Sequence, residues 1–205
     1  FLMIRRPPSS TEGVSWAASD VYKRQAYRCF CVSIALEYQG EVKVGVIYNP
    51  CLDELFVAEK GHGAILNGKP IQVSTISTLK KSLLVTGFAP RVVKSEKDNL
   101  DHFCNFMKAC QAVRRPGSAA MDLVYTAMGR FEGFWERMLH PWDVAAGLLI
   151  VLEAGGKASK FDGTPTNIYD QEILVINGLE FDLGSTQSNV DRESHTSPQK
   201  PMMIG

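Results

Sequence analysis

Almost every residue from Val144 to Ala154 is apolar, and this run constrains the fold more than any other part of the chain. Its length, and the stop that Gly155-Gly156 provides, predict a helix over Asp143 to Ala154. A helix that is apolar on most sides is buried on most sides. This segment must therefore lie inside the core of a folded domain.

The sequence over 32–73 predicts an antiparallel meander. Apolar residues alternate from Val32 to Leu36 and again from Val42 to Tyr48, with Gln39-Gly40 as a tight turn between them. Further along, Asn67-Gly68 is the strongest two-residue hairpin signal available. Such a sheet has one apolar face that something must cover, usually helices, and the preceding residues carry no helix pattern.

After residue 76 the pattern alternates between strands and helices, which predicts an α/β layer. Ser118 is a favourable N-cap for one of these helices, and Gly129 a favourable stop. The other predicted elements are a strand at Leu83 to Thr86, a helix at Asn99 to Cys110, and strands at Phe131 to Glu136 and Glu172 to Ile176.

The two ends of the chain differ from its middle. Residues 1–25 show neither period 2 nor period 3.6 and predict no folded element. The strings FLMIRRPP and SDVYKRQ resemble translated adapter sequence; a genuine disordered leader is the alternative. Residues 184–205 are polar and aperiodic, which predicts a disordered tail. Between the leader and this tail we expect a remnant of an N-terminal sheet over 26–75 and a C-terminal α/β domain over 76–183.

Charge and composition exclude several classes of partner. The chain has 22 Lys and Arg against 22 Asp and Glu, which leaves no basic footprint for nucleic acid or an anionic membrane. Its longest apolar run is far shorter than the roughly 20 residues of a membrane span. Five cysteines without a CxxC pair indicate reduced thiols in a cytoplasmic protein. A small-molecule partner is therefore expected.

Three short segments could carry chemistry. As the predicted N-cap of the apolar helix, Asp143 is either a structural cap or a ligand for a hard cation such as Mg²⁺. The small residues of Gly117-Ser118-Ala119-Ala120 either let an anion approach a helix N-terminus or simply begin the helix. Glu136, seven residues before Asp143, either binds polar groups of a ligand or is a solvated acid at a strand end.

Two other motifs are weaker candidates. Arg114-Arg115 could clamp a phosphate, but an exposed pair at a strand end is the favoured interpretation. Asp162-Gly163-Thr164 is interpreted as a turn between strands.

Taken together, these segments resemble one protein family. GSAAMDLVYTAMGRFEGFWE, followed after three residues by HPWDVAAGLLIVLEAGG, resembles the C-terminal signature of the inositol monophosphatase family, whose hallmark is Trp-Asp-x-Ala-Ala-Gly before a buried helix. SIALEYQGEVKVGVIYNP and GHGAILNGKPI are similar to the strands that precede it. The resemblance covers about residues 27–180.

The resemblance implies a layered α-β-α-β-α sandwich, here truncated at its N-terminus, and a Mg²⁺-dependent, Li⁺-sensitive phosphomonoesterase that is often a homodimer. Such an enzyme hydrolyses inositol monophosphate to inositol and phosphate; a 3'(2'),5'-bisphosphate nucleotidase or a fructose-1,6-bisphosphatase-like phosphatase is the nearest alternative. By the family pattern Asp143 is a metal ligand and Glu136 contacts inositol hydroxyls. The substrate pocket is lined by Gly117, Ser118 and Ala119, with His140 at its edge.

The chain also departs from the family pattern. Members carry a Glu-Glu segment and an Asp-Pro-x-Asp-Gly-Thr segment upstream that supply most metal ligands, and neither occurs here. Asp143 alone cannot supply the roughly six oxygens of a hard cation. We therefore assign no catalytic residue and expect weak Mg²⁺ binding and little turnover; a catalytically dead, dimerising fragment is the non-enzyme alternative.

Overall fold

The computed structural model describes residues 2–4, 27–88 and 99–178. Within these ranges the first sheet has six strands in chain order, and each strand is antiparallel to its neighbours. The strands are β1 (Leu2–Ile4), β2 (Val32–Tyr38), β3 (Glu41–Asn49), β4 (Glu54–Glu59), β5 (Ala64–Leu66) and β6 (Lys69–Pro70).

Two tight turns set the register of this meander. Gln39 and Gly40 have φ angles of 52° and 76°, and Asn67 and Gly68 have φ angles of 48° and 77°. Two successive positive φ values match the right-handed twist of the flanking strands. The predicted meander is confirmed, with Val46 of β3 opposite Ile34 on one side and Val57 on the other.

The second sheet mixes parallel and antiparallel strands in the order β10-β11-β9-β7-β8. Strand β7 is parallel to both β8 and β9, whereas β11 is antiparallel to β9 and to β10. The carboxyl ends of the three parallel strands therefore meet at one edge. The strands are β7 (Leu83–Thr86), β8 (Ala112–Arg114), β9 (Gly133–Arg137), β10 (Lys157–Ser159) and β11 (Glu172–Ile176).

Three helices complete the layers: α1 (Leu100–Ala109), α2 (Ala119–Ala127) and α3 (Pro141–Glu153). Helices α2 and α3 pack on each other between the two sheets, α3 against β2, β3 and β4 and α2 against β9. Helix α1 lies on the other face of the second sheet, where Phe106 packs on Trp135 with ring centroids 4.5 Å apart. This arrangement of sheet, helices, sheet and helix confirms the predicted α/β sandwich.

Close backbone approaches hold α3 in the middle of the sandwich. A Cβ atom added to Gly45 of β3 would lie 2.8 Å from the carbonyl oxygen of Ala146, and one added to Gly147 would lie 2.7 Å from Cβ of Leu123. Every residue from Val144 to Val151 is buried, as the all-apolar run predicts. Glycine is required at both contacts because any side chain would push the layers apart.

The predicted N-terminus of this helix is wrong by two residues. The helix begins at Pro141 with His140 as its N-cap, so Asp143 is its third residue rather than its cap. The physical reason is that proline is well suited to the first helical position, where its missing N–H costs nothing. Strand β9 is likewise shifted from the predicted 131–136, and the three-residue strand β10 was not predicted.

The prediction that residues 1–25 contain no folded element is wrong at β1. Leu2–Ile4 pairs antiparallel with β2, with Ile4 opposite Ile34. An edge strand offers unpaired backbone groups, and a short apolar segment can satisfy them. The rest of the predicted leader, and the predicted tail at 184–205, lie outside the described residues.

The first sheet is apolar on both faces. Its inward residues pack against α3, whereas Val32, Leu36 and Leu55 on the other face are each more than 40% exposed. The prediction of a single apolar face is therefore wrong. Helix α3 covers the inner face, and no helix in the described part of the chain covers the outer one. None of the helices in the described part of the chain is both long enough and apolar enough to cross a membrane.

Candidate functional site

The connections of the second sheet place two helix N-termini at the edge where its parallel strands end. Residues 115–118 lead from the carboxyl end of β8 into α2, and residues 138–140 lead from the carboxyl end of β9 into α3. Ligands of α/β sheets bind at the carboxyl ends of parallel strands, and helix N-termini attract anions through their free N–H groups. This edge is therefore the candidate site.

The start of α2 is built from small residues. Gly117 has a φ of 89°, a conformation that residues with a side chain rarely adopt. Ser118 is the buried N-cap, and its side chain makes no capping hydrogen bond to the helix. Its Oγ lies 3.9 Å from Sγ of Cys31. Because Ala119 follows it, little side-chain bulk separates a ligand from the first N–H groups of α2.

Glu136 is held at the carboxyl end of β9. Its side chain is only 8% exposed and, by the alternation of the strand, points to the same side as Phe134, toward α2. A Cβ atom added to Gly87 would lie 2.2 Å from Oε2 of Glu136. The carboxylate therefore lies directly against the backbone that follows β7. The sequence shows Gly87 only as the end of a strand and gives no signal for this contact.

Asp143 and His140 lie together at the start of α3. The His140 N–H donates to Oδ2 of Asp143 over 3.2 Å, and the Asp143 N–H donates to the His140 carbonyl over 2.9 Å. The imidazole is exposed and stacks on Trp142, with ring centroids 4.6 Å apart. The Asp143 carboxylate thus lies in the positive end of the helix dipole, where a negative charge is stabilised.

A further acid, Asp122, lies on the inner side of the site, and none of the sequence motifs points to it. Burial, and secondly the charge of Glu136, raises the pKa of Asp122 well above its usual range. Burial also raises the pKa of Cys29 to about 12, with the charge of Asp122 as the next cause. A single acid in an apolar helix was the signal that could have identified this residue.

The structure brings the predicted residues to one edge of the sheet but does not gather a metal-binding cluster. Gly117, Ser118 and Ala119 begin α2, Glu136 lies at the end of β9, and His140 and Asp143 begin α3. In the part of the chain that the structure describes, no three His, Cys, Asp or Glu side chains are placed to hold one ion.

The two weaker motifs have ordinary structural environments. Arg114 and Arg115 are exposed, and the Arg115 guanidinium lies 4.3 Å from the ring centroid of Phe88. In the 162–164 segment, Oδ1 of Asp162 accepts hydrogen bonds from the N–H and the hydroxyl of Thr164. The turn predicted there is confirmed.

The segments that form the candidate site lie in the part of the chain that is similar to known proteins. The model of the inositol monophosphatase family matches residues 22–195. The inositol-1-monophosphatase of Synechocystis sp. is 51% identical over 153 residues, which are 75% of this chain and 53% of that protein. The Nus factor SuhB of Escherichia coli is 44% identical over 148 residues, covering 72% of this chain and 55% of that protein.

A solved structure shows the same similarity in three dimensions. The inositol monophosphatase from Anabaena (Nostoc) sp. superposes with a TM-score of 0.75 at 48% sequence identity, over 77% of this chain and 63% of that chain. The chain spans about half the length of the curated relatives it matches.

Proposed function

Because this chain belongs to the inositol monophosphatase family, we propose that the protein it represents is a Mg²⁺-dependent phosphomonoesterase that hydrolyses inositol monophosphate to inositol and phosphate. The observation that carries the proposal is the meeting of two helix N-termini with the buried acid Glu136 at one sheet edge. That arrangement suits a ligand with an anionic end and a hydroxyl-bearing end.

Each end of such a ligand has its own recognition chemistry. The N–H groups that begin α2, at Gly117 to Ala119, would face the phosphate, since positive helix ends stabilise anions. The Glu136 carboxylate, which only accepts hydrogen bonds when it is ionised, would take them from polyol hydroxyls. His140 would lie at the rim of the pocket, where it is exposed.

The described residues do not form a complete site for Mg²⁺. Asp143 is the one predicted metal ligand among them, and its carboxylate already accepts the His140 N–H. A hard cation requires about six oxygens, and no described cluster of three acidic, histidine or cysteine side chains supplies them. We therefore propose that this chain by itself binds Mg²⁺ weakly and turns over little substrate.

The same site could serve a different ester in the protein this chain represents. A 3'(2'),5'-bisphosphate nucleotide or fructose bisphosphate carries a second phosphate, which the negative charge of a buried Glu136 would disfavour. The monophosphate of a polyol is therefore the favoured substrate. The non-enzyme alternative, a dimerising fragment, is favoured only by the exposed apolar face of the first sheet.

The experiment is a phosphate-release assay on the protein produced with its natural N-terminus. We expect Mg²⁺-dependent hydrolysis of inositol monophosphate that exceeds hydrolysis of the two bisphosphates. Glu136→Gln should raise KM about tenfold, the effect of losing about 1.4 kcal/mol of binding. Glu59→Gln, an exposed acid on β4, is the matched control and should leave KM unchanged. Absence of phosphate release, or a preference for a bisphosphate, would refute the substrate assignment.

A further inference from the structure

Helix α2 has one charged residue, Asp122, and this residue lies on the buried surface of the helix. Asp122 is 0% exposed, and its neighbours Met121, Leu123 and Val124 are also fully buried or nearly so. Neither of its carboxylate oxygens has a hydrogen-bond partner, and neither is reached by solvent. A buried carboxyl group without a partner is rare enough in a folded protein to require an explanation.

The position of Asp122 relates it to the candidate site. Its N–H donates to the carbonyl oxygen of Ser118 over 2.9 Å, so it lies one helical turn below the start of α2. Helix α2 packs on β9, and Glu136 points from that strand toward the helix. The Glu136 carboxylate is itself fixed in place against Gly87. The two acids therefore face each other across the contact between helix and sheet.

Among the residues that the structure describes, no positive charge is found to offset a charge on Asp122. Besides burial, the charge of Glu136 on β9 acts on it, and Cys29, in the segment before β2, is a thiol whose pKa is raised to about 12 by burial and by the charge of Asp122. The buried face of α3 consists of apolar residues from 144 to 151, and the inward residues of β11, Ile173 and Val175, are apolar as well. An unpaired buried carboxylate is so costly that such a group takes up a proton instead.

Two carboxylates in a medium of low dielectric constant do not both ionise. Glu136 is the less buried of the two acids, with 8% exposure against 0% for Asp122. The negative charge is therefore more stable on Glu136, and the proton on Asp122.

We propose that Asp122 carries a proton at neutral pH and acts as a positioning residue for Glu136, so that the pair holds one negative charge on the side chain nearer the ligand. Its role toward a polyol rests on the proposed function, whereas the location of the proton does not. An ionised Asp122 would repel Glu136 and disturb the carboxylate that accepts the ligand hydroxyls.

The location of the proton can be measured on this chain by ¹³C NMR of its carboxyl groups as a function of pH. In a chain labelled at aspartate, we expect one carboxyl signal to stay at its protonated position up to about pH 7. That signal should vanish in Asp122→Asn and remain in Asp101→Asn, which changes an exposed acid on α1. If the signal that disappears in Asp122→Asn titrates below about pH 7, the proposal is wrong.

A second label tests the effect on Glu136. If Asp122 is neutral, Asp122→Asn leaves the titration midpoint of Glu136 unchanged in a glutamate-labelled chain. If Asp122 is ionised, the substitution removes a neighbouring negative charge and lowers that midpoint by about one pH unit or more.

The role in ligand binding is tested on the protein with its natural N-terminus. We expect Asp122→Asn to abolish a rise of KM at alkaline pH that the unsubstituted protein shows. Identical KM profiles in the two proteins would overturn the positioning role. If no phosphate is released at all, the proposed substrate fails while the two NMR experiments still decide where the proton lies.

Discussion

Replacing Asp122 with asparagine should change how stability depends on pH. The folded protein holds a proton on the buried Asp122 carboxyl, because burial and the charge of Glu136 raise its pKa. The unfolded chain releases that proton above about pH 3.9. Stability is therefore lost as pH rises from this value through the folded-state pKa. Asparagine has a similar shape and no such proton, so the variant does not show this loss.

The magnitude follows from the linkage between proton binding and folding. One proton retained only by the folded state lowers the free energy of unfolding by about 1.4 kcal/mol per pH unit. Between about pH 5 and pH 7, Asp122→Asn should therefore gain about 2.7 kcal/mol relative to the unsubstituted chain. Stabilising substitutions commonly contribute about 0.5–2 kcal/mol, so this gain would be large, and it should arise without a new contact.

The assay is urea unfolding at several pH values, followed by fluorescence of the buried Trp135. The unsubstituted chain, Asp122→Asn and Asp101→Asn are compared, since Asp101 is an exposed acid of α1. We expect the Asp101→Asn curve to run parallel to that of the unsubstituted chain. Parallel curves for all three proteins would refute the reasoning, because they would show that Asp122 ionises equally in the folded and unfolded states.

Three further substitutions test the packing and the site. Gly45→Ala places a methyl group against the Ala146 backbone and should cost about 1–3 kcal/mol, measured by urea unfolding. Glu153→Gln weakens the acceptors of the Gly61 and Gly63 N–H groups, each 2.8 Å away, and should cost about 1–2 kcal/mol by the same assay. Gly87→Ala displaces the Glu136 carboxylate and should raise KM in the protein with its natural N-terminus more than it lowers kcat.

The parts of the fold that could be predicted from sequence are those that local patterns determine. The apolar run after Asp143 requires a central helix whatever surrounds it, and Asn67-Gly68 requires a tight turn because both residues take positive φ. By contrast, Lys157–Ser159 is too short for any periodicity and becomes strand β10 only because β11 offers it an edge. Long periodic segments can therefore be predicted from the sequence alone, whereas the formation of a short edge strand depends on the strand beside it.

The candidate site was predictable to a different extent. Glu136 and Ser118 were found through the motifs that contain them. The contact between Gly87 and Glu136 joins residues far apart in sequence, and no local sequence pattern predicts it. Asp122 was missed because an acid in the first turn of a helix is ordinarily explained by the helix dipole. A charge on Asp122 is unfavourable only because α2 is buried between two sheets.

The energetics of the described site separate the recognition of an anion from its hydrolysis. A helix N-terminus stabilises a nearby negative charge by about 0.3–1 kcal/mol, so α2 and α3 together contribute about 2 kcal/mol at most. Binding of about 1 mM affinity already requires about 4 kcal/mol. Hydrogen bonds from ligand hydroxyls to Glu136 would add about 1.4 kcal/mol. Cations that neutralise the phosphate would supply the rest, and Asp143 is the one ligand for them that the family resemblance predicts in this chain. We therefore expect tight phosphate binding and turnover to be gained together in a protein that carries the further carboxylates of the family pattern.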